Sequence, residues 1–200
     1  CHGASSDWLA LHDNYGGKTI KRDQEAAEHK AKRVADSTAA GLIWPSMQYE
    51  VAENCMTCHG LAHPDLKADD LAKMLGAGHP INPNFELVKY SQGSVRHRYY
   101  PPDIKTNAEM APKDLAQIFV IGQAAALVSA TGAMSKSDEA KYKEAQNKRA
   151  ENAKAVLKNI PEAADLLASP SRENALKLSK AIDGKDLTSI VGSKLPAKPD

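Results

Sequence analysis

Cys55, Cys58 and His59 stand together in "ENCMTCHG", residues 53–60. Two thiols three positions apart, followed at once by an imidazole, suit few chemistries. Cys-x-x-Cys-His is the attachment signature of c-type haem. The thiols add across two vinyl groups on one edge of the porphyrin, and the adjacent histidine reaches under the ring to the iron. Cys55 and Cys58 fit the thioether roles and His59 the proximal one. Two other readings compete. A thioredoxin-like redox pair calls for a βαβ setting, whereas the surrounding pattern is helical. A zinc site calls for further ligands, and His63, one helical turn after His59, completes a Cys55, Cys58, His59, His63 set on paper.

The chain opens on "CHG", the same letters as residues 58–60. One reading makes Cys1 and His2 the second half of another Cys-x-x-Cys-His, whose first cysteine would lie upstream in a precursor. It accounts for the odd total of three cysteines. The other reading makes Cys1 the acylated first residue of a lipoprotein. On the first, two haems c are expected, more if upstream sequence carries further motifs, with His2 and His59 as proximal ligands.

Each iron has a second axial position. His12, His29, His63, His79 and His97 are the remaining histidines, and none follows His97. A second imidazole makes a six-coordinate, low-spin centre, which moves electrons with little rearrangement. Axial identity, hydrogen bonding and burial set its potential. His63 faces the same way as His59 on a helix and so cannot cap the opposite side of that haem. His79 sits in "GAGHPINPNFE", where Gly78 and Pro80 restrict the backbone. His12 follows "DWLAL". His97, in "VRHRYY", lies among arginines suited to haem propionates. The five methionines are the weaker axial alternative.

These residues must be positioned by helices. Alanine and lysine are abundant, which favours helix. The spacing predicts a helix over residues 22–40 ending at Gly41, and a short one over 48–59 carrying the motif. Another follows Pro64, and one broken at Gly93 begins near residue 86. Pro112 opens an apolar helix, and a long, charged helix with much of its surface solvated follows Ser137. The expected fold is mainly α, with little or no sheet. A haem-packed module over residues 1–105 would precede a helical C-terminal region, 106–200, without haem ligands.

Composition narrows the classes. A net charge of +1 leaves no basic footprint for nucleic acid. No unbroken run of 18 apolar residues suggests a membrane span, and no signal peptide is visible, as in a processed or trimmed chain. Aromatics make up only 5% of residues, a modest core that a flat apolar cofactor would enlarge.

The segments "CHGASSDWLALH", "EHKAKRVADSTAAGLIWP", "VAENCMTCHGL" and "GAGHPINPNFELVKYSQGSVRH" together resemble multihaem cytochromes c of the cytochrome c-554 and hydroxylamine oxidoreductase superfamily. The resemblance covers about residues 1–100. It implies closely packed bis-histidine haems, a periplasmic or extracellular-face location, and electron transfer with redox partner proteins. By position it implies His12, His29, His79 and His97 as distal ligands. The chain departs from that pattern in haem count, with one complete site and one half site. Distal histidines therefore exceed its own haems, and other haem-bearing subunits are among the expected partners. Two further readings stand beside electron relay. One is a haem enzyme acting on a small nitrogen or sulfur compound at a five-coordinate iron, and the other is a protomer of a cytochrome filament.

Overall fold

The computed structural model describes residues 2–92 and 110–196. Among these the protein is mainly α, with no strand, as expected. Contacts cluster into two compact units, Cys1–Met47 and Gln48–Asp200. The boundary expected at 105/106 falls in the segment outside the described residues.

The first unit holds α1 (Leu9–His12) and α2 (Ala27–Ala39). α2 begins five residues later than the sequence spacing predicts. Residues 21–24 instead form a turn closed by Lys21 N donating to Gln24 Oε1. Glu25, just outside the helix, turns its carboxylate back onto Arg33. The helix ends as predicted, with Gly41 at φ +92°. Apolar burial here is slight: among residues 2–47 only Trp8 and Leu42 are buried hydrophobic side chains. The centre is Arg33, which is itself buried and lies against the rings of Tyr15 and Trp44. A unit of this size seldom holds together on so small a core without a metal, cofactor or cross-link.

The second unit is built on one long helix. α3 (Gln48–His59), α4 (Ala68–Gly76) and α5 (Leu87–Ser91) precede α6 (Pro112–Ala133), which starts with its proline in the first turn. α7 (Ala140–Leu157) follows a short link and packs along α6. α8 (Ala164–Ala168), α9 (Arg172–Ala181) and α10 (Thr188–Val191) complete the described chain. α3, α5, α7, α9 and α10 all contact α6. Ile118, Phe119, Val120 and Ile121 are consecutive and all buried, so α6 is apolar on every side, as a central core helix should be. By length and mean hydropathy (1.5) α6 also qualifies as a candidate membrane span, although Gln117, Gln123 and Ser129 interrupt its apolar run. Of that stretch 72% is buried within the protein.

α7 keeps much of its surface in solvent, as expected, but buries one face. Tyr142, Gln146 and Arg149, spaced to share one face, are all buried. What they hold is the end of α3.

Candidate haem site

α3 ends on the cysteine motif. Its buried face, with Tyr49, Ala52 and Met56, turns into the core. Cys55, Cys58 and His59 fall at i, i+3 and i+4, one strip of the helix. Cys55 is half-buried and Cys58 exposed, and both thiols are free. Burial pushes the Cys55 thiol pKa up.

The helix stops directly after His59 for a traceable reason. Leu61 takes a left-handed conformation, φ +48°, so that Leu61 N donates to Cys58 O and Ala62 N to Thr57 O. A leucine is uncommon there. Its side chain is buried with Leu71, Ala133 and Tyr142, which offsets the strain. α7 then takes up the freed carbonyls. Gln146 Nε2 donates to Gly60 O at 2.8 Å, and Tyr142 Oη donates to Leu61 O at 2.9 Å. Arg149 Nη1 donates to Gln146 Oε1 at 2.6 Å, and Nη2 donates to Ser129 Oγ and Met56 Sδ. The guanidinium lies so close over Gly60 that a Cβ there would overlap Nη1, Cζ and Nη2. Any side chain at the glycine of Cys-His-Gly would therefore have to displace the hydrogen-bonded Arg149 guanidinium.

His59 is exposed, and its ring stacks on Phe85, centroids 3.8 Å apart and nearly parallel. Tyr90, 52% exposed, stacks on Phe85 in turn. Burial, with Arg149 as the second cause, lowers the His59 pKa and favours the neutral ring that a metal requires.

Four other histidines share one feature. His2 Nδ1–H donates to Ile43 O at 3.0 Å and His12 Nδ1–H to Leu9 O at 2.7 Å. His29 Nδ1–H donates to Glu25 Oε1 at 2.8 Å, and His79 Nδ1–H to Pro80 O at 2.9 Å. A carbonyl or carboxylate oxygen can only accept, so Nδ1 carries the proton and the neutral ring keeps its lone pair on Nε2. Metal-ligating histidines are typically oriented in this way. His63 is the opposite case: its Nδ1 accepts from Asp65 N, which places the proton on Nε2.

In the first unit one network orients two of these rings. Arg33 Nε and Nη2 grip Glu25 at 2.8 and 2.7 Å, and Arg33 Nη1 donates to the His12 carbonyl at 2.7 Å. Glu25 also receives His29. The hydrogen bond from Arg33 lowers the Glu25 pKa to about 2 despite burial, with His29 adding to the effect. The His12 ring packs edge-on against Trp8, centroids 5.1 Å apart. His29 lines a cavity of about 600 Å³ with Tyr15, Gly17 and Ile20. In the second unit His79 follows α4, where Gly78 at φ +86° turns the chain and His79 N donates to Met74 O.

Cys55, Cys58 and His59 are therefore brought together. His12 and His29 are linked through Arg33 and Glu25, and His2 is anchored on Ile43. Cys1 and His97, with the arginines beside His97, lie outside the described residues. No three His, Cys, Asp or Glu side chains converge on a metal position among the described residues, so the Cys55, Cys58, His59, His63 zinc set is not assembled there. The residues present do fit a haem. Two free thiols and an imidazole share one strip beside exposed aromatic rings, and the first unit has little apolar core of its own. Tyr142, Gln146, Arg149, Glu25 and Arg33 were not singled out from the sequence. The i, i+4, i+7 recurrence of 142, 146 and 149 was the available signal. No family model, curated protein or solved structure matches the chain.

Proposed function

We propose that this protein is a c-type cytochrome that relays electrons, with one haem held by Cys55, Cys58 and His59 and a second held at Cys1 and His2. A haem so held cycles its iron between two oxidation states one electron at a time, taking the electron from a reduced redox protein and passing it to an oxidised one. The chain's residues do the rest. The α7 side chains fix the end of α3, so Cys58 and His59 keep one orientation. His12, His29 and His79 offer Nε2 for distal positions, as the likeness to multihaem cytochromes c implies for them and for His97. The location that follows is the periplasm or the outer face of the cell, where thioether haems are attached. Other haem-bearing subunits would take any distal histidines left over.

The observation that carries the proposal is the shared Nδ1 hydrogen bonding of His2, His12, His29 and His79, set beside a complete Cys-x-x-Cys-His. A surface histidine with no ligand role has no need of an oriented ring, and His63 shows the other outcome. The test is a pyridine haemochrome assay and an EPR spectrum on matured full-length protein. Covalent haem with only low-spin signals, unmoved by cyanide, is expected. Colourless protein overturns the proposal, and a high-spin signal that shifts with cyanide replaces relay by catalysis at an open iron.

A further inference from the structure

Arg149 is a buried cation with no ion-pair partner among the described residues. Its exposure is 4%, and no carboxylate lies within ion-pairing distance among the described residues. Its recorded acceptors are an amide oxygen, a hydroxyl and a thioether, all uncharged. Desolvation lowers its pKa to about 10, so it remains charged at neutral pH. Isolated buried charges are costly, and proteins normally pair them.

Arg149 also lines a cavity of about 260 Å³ between α6, α7 and the segment before α5. Gln123, Lys194, whose Nζ donates to Ala155 O, and Asn152, whose Nδ2 donates to Asn84 Oδ1, add polar groups, and Phe85 and Phe119 apolar walls. The carboxylate in the lining, Glu86, is already engaged: it accepts from Val88 N at 2.9 Å and Lys89 N at 2.7 Å. The cavity adjoins the haem motif, because Phe85 stacks on His59 and Arg149 packs on Gly60.

We infer that this cavity is a carboxylate-binding site in which Arg149 receives the negative charge and Lys194 and Asn152 border it. The shared chemistry has two sources, a propionate of the haem attached at Cys55 and Cys58 or a free small carboxylate. The geometry of Arg149 supports the site whether or not the haem assignment holds.

The experiment uses the full chain as matured, with Arg149→Gln and Arg149→Lys variants. Sodium acetate is titrated against sodium chloride at equal ionic strength, and thermal denaturation is followed. Resonance Raman then reads the propionate bending band. If a free carboxylate fills the site, acetate stabilises the wild type saturably, and Arg149→Gln weakens that response by about tenfold to a hundredfold. If a propionate fills it, acetate changes neither protein, and Arg149→Gln shifts the propionate band. In either case Arg149→Lys lies between, since it keeps the charge but loses the fork. Should Arg149→Gln not fold, wild type and Arg149→Lys carry the same comparison. The inference is overturned if the variants match wild type in both readouts. Protein lacking haem defeats the electron-relay proposal and leaves the acetate titration as the deciding measurement.

Discussion

Gln146→Leu tests whether α7 holds the end of the cysteine helix. Gln146 is fully buried and serves both neighbours, donating to Gly60 O and accepting from Arg149 Nη1. Leucine has similar volume, so the cavity penalty is small and the loss is polar. Stranding the Gly60 carbonyl costs about 1–3 kcal/mol, and removing a neutral acceptor from a buried guanidinium costs about 1.5–3 kcal/mol. Together the second unit should lose about 3–5 kcal/mol. At about 2–4 °C per kcal/mol for this size, the midpoint falls by roughly 6–20 °C. Urea and thermal unfolding of the full chain, followed by circular dichroism, measure both quantities. In haem-loaded protein the frayed motif should also broaden the low-spin EPR signal. A loss below about 1 kcal/mol would refute the reasoning, because the end of α3 would then be held by its own turn.

Gly60→Ala should destabilise by about 1–3 kcal/mol in the same assay, since a Cβ there overlaps the buried Arg149 guanidinium. Glu25→Gln should release Arg33 and lower the stability of the first unit measured by native-state hydrogen exchange. Acid should act through the same pair. Because the folded pKa of Glu25 is lowered from its ordinary 4.5 to about 2, its contribution is complete above pH 4.5 and is lost as pH falls towards 2. His79→Ala should convert part of the low-spin haem signal to high-spin with little change in folding, whereas His63→Ala should leave the spectrum intact, because its Nε2 carries the proton.

Much of this protein is legible in one dimension. Helical spacing, Pro112 in a first turn and Gly41 after a last one are local instructions, and α2, α3, α6 and α7 obey them. The Cys55, Cys58, His59 strip is equally local, since i, i+3 and i+4 fall together on any helix. The start of α2 was misread because Glu25 is drawn out of the helix by Arg33, eight positions on. The charges of α7 imply a helix with much of its surface solvated, which it has, but they do not reveal that its buried Tyr142 and Gln146 meet carbonyls more than eighty residues away.

Sequence alone therefore determined which residues could do chemistry, because covalent spacing and helix periodicity act over a few positions. Tertiary structure alone decided that the His2 ring is anchored on Ile43, that the Arg149 guanidinium lies over Gly60, and where a cation with no carboxylate partner among the described residues is buried. Those depend on which distant carbonyls, carboxylates and cavities the folded chain brings alongside, and no local pattern encodes that.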